Sequence, residues 1–178
     1  LESQPSLEWS NMATACDGLR ENEFDTERFE RWCAGTTGYP MVDACMRYLV
    51  QGGWLNFRMR AMLVSFASYH LWLDWRPTSR FLARQFVDYE PGIHYSQMQM
   101  QSGTTGINAV RIYSPIKQVT DQDPDGAFIR RWVPELGDVP TCHIAQPHKM
   151  SWDEQQRYGC VLEQDYPRPI VNHRAAVA

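Results

Sequence analysis

The stretch WLNFRMRAMLVSFASYHLWLDW, residues 54–75, constrains the fold most. At helical spacing Trp54, Phe57, Ala61 and Ser65 fall on one face, and Leu55, Met59, Met62 and Phe66 on another. A helix that is apolar nearly all round has to lie inside the protein. The stretch therefore predicts a central helix, ended by Pro77, around which other helices pack. Trp54 and Trp75 read as core by the same periodicity, whereas Trp32 and Trp72 are open between core and half-exposed positions.

The flanking segments supply such helices. In FDTERFERWCAG, Asp25 or Thr26 can cap, Glu27 favours the first turn and Gly35 stops the helix. In TGYPMVDACMRYLVQGG, Pro40 suits the first helical position, and Met41, Ala44, Cys45 and Leu49 form the apolar stripe ahead of Gly52 and Gly53. TSRFLARQFVDY predicts a helix capped by Thr78, and DPDGAFIRRWVPEL one that starts near Asp125 and stops at Pro134. SWDEQQRYG carries a capping box, Ser151 to Glu154, with Gly159 as its stop. HYSQMQMQS alternates weakly like a strand, and VRIYSPIKQV is ambiguous. The class is mainly α, with one long irregular segment in the middle.

Composition narrows the function. The 178 residues suffice for one domain with a real core. A net charge of −4 argues against a protein that coats nucleic acid by charge alone, and leaves room for a local basic patch. The five cysteines are widely spaced and form no CxxC pair, so neither a disulfide framework nor a closed zinc site is expected. Cys142, His143 and His148 read as a thiol and surface histidines rather than metal ligands. No apolar run spans a bilayer, so the chain reads as a soluble, cytoplasmic protein without a membrane partner. The glycine signatures of nucleotide-binding loops and the GxSxG of serine hydrolases are absent. The opening LESQPSLEW has no initiator Met, which reads as the start of a fragment.

Arg60 stands out. It lies in the central helix, and a guanidinium buried without a partner costs several kcal/mol, so it needs an anion. That anion is a protein carboxylate or a ligand, and Asp88 and Glu90 are the nearest candidates. A pair with Asp88 would tie the central helix to the mouth of the polar run VDYEPGIHYSQMQMQSGTTG; an ordinary structural ion pair, with Arg58 solvated, is the alternative. Within that run Met98 and Met100 would share one side of an extended chain, with Gln97, Gln99 and Gln101 opposite. They would form either a buried edge strand or a soft wall against a flat cofactor.

The run WCAGTTGYPMVDACMRYLVQGGWLNFRMR, followed by DWRP, RIYSP, DPDGAFIRRWVPEL and YPRPIVNHRAA, resembles the C-terminal part of the cryptochrome/DNA photolyase family. Order and spacing agree from about Trp32 to Ala175. The resemblance implies an all-α helical domain that holds FAD in a bent conformation. The N-terminal α/β antenna domain and the start of the flavin domain would lie outside this chain, as the remainder of the same protein. In photolyases, blue light drives electron transfer from the flavin to a pyrimidine lesion in DNA; in cryptochromes, flavin photoreduction drives signalling.

Carried over by position, the resemblance makes Arg60 the arginine beside the flavin, Asp88 its partner and Glu90 a second flavin-contacting acid. Trp54 heads the same motif. Arg58 and Arg111 match positions that contact DNA phosphates. The chain also departs from the family pattern. Phe57 stands where Asn is frequent beside the flavin, and Tyr95 falls near the position that faces flavin N5. Met98 stands where the first Trp of the photoreduction relay often lies, and Met100 where an aromatic often stacks on the lesion. The loop from Met100 to Arg111 is short. A thioether is harder to oxidise than an indole, so Trp32, Trp75 and Tyr95 become the candidate electron-transfer aromatics. Three readings stand: a repair enzyme acting on pyrimidine lesions in DNA, a flavin photoreceptor or redox flavoprotein without repair activity, and a helical piece that has lost its flavin.

Overall fold

The structure, a computed structural model, describes residues 4–107 and 111–176. It is helical: apart from one isolated bridge between Leu162 and Tyr166, no strand occurs among the described residues. Two short 3-10 turns, Pro5–Glu8 and Thr14–Cys16, lead into α1, Thr26–Ala34. Asp25 caps α1 by accepting from the Arg28 N–H at 3.0 Å, and Gly35 closes it at φ 64°. In α2, Pro40–Gly52, Pro40 takes the first position and Gly53 the left-handed end. The predicted stripe Met41, Ala44, Cys45 and Leu49 is fully or almost fully buried.

The central stretch is broken where one helix was predicted. Trp54 precedes the helix and is 46% exposed instead of core. Asn56 caps α3, Phe57–Ser65, by accepting from the Met59 N–H at 3.0 Å. A π-helical turn, Phe66–His70, follows, and the chain then reverses through Trp72, which has φ 57° and is 40% exposed. Asp74, not Thr78, starts α4, Trp75–Gln85, by accepting from the Arg76 N–H at 2.6 Å. Pro77 therefore sits in a first turn, where the missing N–H is not needed, and ends nothing. Thr78 is buried and donates its hydroxyl back to the Trp75 carbonyl.

The irregular segment proves helical as well. Glu90 caps α5, Pro91–Ser102, and Gly103 ends it at φ 78°. The predicted edge strand HYSQMQMQS is therefore overturned. Residues two apart on a helix diverge by about 200°, so Met98 is buried toward one side and Met100 is only half-buried toward another. Gln99, fully buried, faces away from both: its Oε1 accepts from the Met12 N–H, and its Nε2 donates to the Leu7 and Ser10 carbonyls.

The ambiguous VRIYSPIKQV contains α6, Pro115–Gln122, capped by Ser114. Residues 108–110, inside the loop expected to be short, lie outside the described residues. The remaining helices are α7, Ala127–Trp132; α8, Thr141–Ile144; α9, Trp152–Arg157, with the predicted capping box; and α10, His173–Ala176. Pro134 opens a 3-10 turn directly after α7.

Two packing centres result. α2 packs against α1, α3, α6 and α7, while α5 packs against α3 and α4. Thus α3 joins both halves of the core. Its α5-facing side is where an open cavity forms.

Candidate functional site

The cavity measures about 330 Å³ and opens to the surface between α3, α4 and α5. Its apolar wall includes Leu55, Ala61, Val64, Leu82, Phe86 and Met98. The polar lining is small: Arg60, Asp88, Glu90, His94, Gln97 and Gln101. On α5 those residues recur every three or four positions (Glu90, His94, Gln97, Gln101), so a single helix face supplies them. Pockets of this size with a few fixed polar groups are the usual form of a small-molecule site.

Arg60 takes the predicted partner. Its Nη2 donates to both oxygens of Asp88, at 3.0 and 2.8 Å, and its Nε donates to the Leu55 carbonyl at 2.6 Å. The guanidinium lies 4.1 Å from the Phe86 ring centroid and 6.0 Å from that of Trp54. It is half-buried rather than fully buried, with Asp88 more exposed than its partner. The hydrogen bond from Arg60 holds the Asp88 carboxyl below the usual range. Arg60 therefore offers a fixed positive edge that an ion pair orients but does not remove from solvent.

Glu90 lines the same cavity but has a structural task. It accepts from the Ile93 N–H at 2.7 Å as the cap of α5, and the backbone N–H groups of Ile93 and Gly92 lower its pKa. Trp54 and Phe57 stand at the mouth, Phe57 being 59% exposed. Met98 is buried in the wall.

The other expected site residues lie elsewhere. Tyr95, 8% exposed, is off the cavity wall and packs edge-on against His94, 5.2 Å between ring centroids. Trp32 is sealed among Phe29 and Phe81, and Trp75 donates its Nε1–H to Asn11 at 2.8 Å; neither lines the cavity. Met100 is off the wall too. Arg58 and Arg111 are exposed. Wall residues outside the expected set include Leu55, Val64, Phe86, Gln97, Gln101 and, immediately before Tyr95, His94. The signal for His94 is the helical spacing from Glu90, which emerges only once the segment is taken as a helix.

Among the described residues no group of three or more His, Cys, Asp or Glu is placed to hold a metal ion. His143 Nε2 instead meets Glu154 Oε1 at 3.2 Å. All five cysteines are free thiols. Among the described residues no helix is long and apolar enough to cross a membrane.

The family model described as the FAD binding domain of DNA photolyase matches residues 1–178. The chain belongs to that family. It is 39% identical over 161 residues to a deoxyribodipyrimidine photo-lyase of Alkalihalophilus pseudofirmus, which covers 88% of this chain and 34% of that protein. It is 35% identical over 149 residues to a cryptochrome DASH of Gloeobacter violaceus, covering 83% of this chain and 30% of the other. Among solved structures, a class III photolyase from Agrobacterium tumefaciens superposes with a TM-score of 0.88 at 33% identity, over 97% of this chain and 36% of its own. The chain thus spans about a third of the length of the relatives it matches.

The cofactor of this family is FAD, and the cavity fits its ring portion. The wall is largely apolar, and Arg60, held by Asp88, sets a fixed positive charge beside it. A flat ring with a polar edge matches that lining of apolar surface with a few oriented polar groups.

Proposed function

We propose that this chain is part of a photolyase-type flavoprotein that acts on pyrimidine lesions in DNA. The observation that carries the reading is the cavity itself, open on one side, with a pair-fixed Arg60 inside and exposed aromatics at its mouth. When bound, FAD supplies light absorption and the transferable electron. The chain's own residues do the rest. Leu55, Val64, Phe86 and Met98 exclude water from the ring. Arg60, oriented by Asp88, places positive charge at its edge, and Glu90 holds the start of α5 in place. Trp54 and Phe57 present flat apolar surface to a base entering the mouth. Arg58 and Arg111 are exposed and available to phosphates, which would position a duplex without reading its sequence.

In this reading Trp32, Trp75 and Tyr95 carry electrons within the protein. Met98, on the wall, favours a second reading: a cryptochrome-type photoreceptor or redox flavoprotein without repair. A thioether replaces the oxidisable indole there, and Met100 offers no ring to a lesion. The test uses the full-length protein. A blue-absorbing flavin band that bleaches in light supports both readings, and its absence sinks both. Loss of pyrimidine dimers from irradiated DNA under blue light then selects repair, and unchanged dimers select the photoreceptor.

A further inference from the structure

The π-turn that follows α3, Phe66–His70, ends on an imidazole that the cavity does not use. His70 is buried, and its Nε2 lies 2.8 Å from Nδ1 of His173 on α10. The two rings are 16° from parallel, with centroids 5.0 Å apart. That separation is nearly the N···N distance plus the two ring radii. The rings therefore meet edge to edge, with one proton on a nearly straight line between them.

The other nitrogen of His70 decides which ring owns that proton. Its Nδ1 is sealed from water without a partner. A neutral imidazole carries one N–H. If His173 donated, the proton of His70 would sit on the sealed Nδ1, and sealed N–H groups are rarer orphans than sealed acceptors. The proton therefore belongs to Nε2 of His70, and His173 accepts at Nδ1. This bridge needs both rings neutral. A proton added at Nδ1 of His173 takes away the accepting lone pair and sets two N–H groups head to head. A proton added to His70 goes where nothing receives it.

No anion stands by to offset such a charge. Tyr39 meets the His70 ring edge-on at 6.2 Å, with its hydroxyl donating to the Val171 carbonyl. Arg28 of α1 donates to the adjoining Leu71 carbonyl, Arg20 lies over the Tyr69 ring, and Arg174 follows His173. On the other helices packed against the turn, Arg60 is engaged with Asp88, Arg76 with Asp74 and Glu21, and His94 with the Ser79 carbonyl. The helix that carries His173 is weakly held. α10 has no buried residue, and Asn172 only caps it, accepting from the Arg174 and Ala175 N–H groups. Among the described residues the bridge to His70 is the one hydrogen bond that ties residues 173–176 to another element.

We propose that His70 and His173 form a proton-operated latch, which docks α10 on the π-turn while both rings are neutral and frees it in mild acid with the rest of the fold intact. The chain stays fixed just ahead of the latch, where the Ile170 N–H donates to the Thr37 carbonyl at 2.9 Å. Once α10 is free, both imidazoles meet water and titrate near about 6.5. The released form then binds more protons than the docked one, so it gains as pH falls below that value.

The experiment uses the full-length protein with a nitroxide label on Ala175→Cys, an exposed position, in a background where the exposed Cys142 is replaced, Cys142→Ser. The Cys142→Ser protein alone supplies the signal to subtract. At pH 8 the label should be immobilised. Below about pH 6.5 the ratio of mobile to immobile label should rise about tenfold per pH unit if one proton is taken up, and up to about a hundredfold if two are. The change should reverse at pH 8 and leave the helical circular dichroism unaltered. His173→Phe and His70→Phe each keep a ring and remove the titration, so in both the label should become indifferent to pH. Label mobility that is constant from pH 8 to pH 5 overturns the proposal. So does a His173→Phe variant with the wild-type pH dependence, or a change in mobility that appears only together with loss of helical signal.

Discussion

Arg60 Nη2 holds both carboxylate oxygens of Asp88, at 3.0 and 2.8 Å, and this contact joins α3 to the turn that leads into α5. Because both groups are partly exposed, the pair adds at most about 1 kcal/mol to stability; its larger effect is on the cavity. Arg60→Ala should leave the helical circular dichroism and the melting temperature nearly unchanged, yet lower FAD retention by tenfold or more in the full-length protein. The flavin-to-protein absorbance ratio after gel filtration checks this. Asp88 has its pKa lowered, so the pair persists at neutral pH and is lost as pH falls through that lowered value. Asp88→Asn should reproduce the acid behaviour at neutral pH.

His70 gives a second pH dependence, of stability. It is buried, stacks on Phe66 at 4.8 Å, and has Nε2 2.8 Å from Nδ1 of His173. Burial, with His173 alongside, lowers its pKa to about 4. An unfolded histidine titrates near 6.5, so below that pH the unfolded chain binds the extra proton. Stability should be level above about pH 7 and fall toward pH 4, by up to about 1.4 kcal/mol per unit. Urea unfolding at pH 7.5, 6 and 5 measures the slope, and His70→Phe should flatten it.

Gly38 marks a place where the chain admits no side chain. It has φ +80°, and an added Cβ would overlap the carbonyl group of Arg168 and the nitrogen of Pro169. Gly38→Ala should cost more than about 2 kcal/mol. Gly18, with φ +85° and open space around it, is the control: Gly18→Ala should cost only the backbone strain, about 1 kcal/mol. Thermal unfolding of the two variants separates clash from strain.

The exposed Arg58 and Arg111 test the DNA-binding part of the proposed function. Replacing both by Ala in the full-length protein should weaken binding about equally on all sequences. It should also reduce the slope of log affinity against log salt by about two. A fluorescence-anisotropy salt series is the measurement. An unchanged slope would turn the balance toward a photoreceptor.

Where capping chemistry was explicit, the sequence was legible. Asp25 with Gly35, Pro40 with Gly53, and Ser151 with Glu154 bound the helices they predict. The cost of an unpaired cation left Asp88, Glu90 or a ligand as the partner of Arg60, and the family resemblance singles out Asp88, which the structure pairs with it. Periodicity failed in two places for physical reasons. A stretch apolar on every side has no polar face to reveal a break, so the reversal at Trp72 and the cap at Asp74 were absorbed into one long helix. In HYSQMQMQS the alternation of Met and Gln outweighed the stronger signals at its ends, Glu90–Pro91 and Gly103. Tyr95 rests on the family resemblance alone, and the residue on the cavity face is its neighbour His94, about 100° away on a helix.

Gln99 ties the back of α5 to Leu7, Ser10 and Met12 while the front of the helix lines the cavity, so one rigid element touches both the cavity and the N-terminal turns. Whatever fills one side has to move, or steady, the anchor of the other. Occupancy of the pocket should therefore be legible at a distance, as slower amide exchange and greater resistance to protease in residues 5–16.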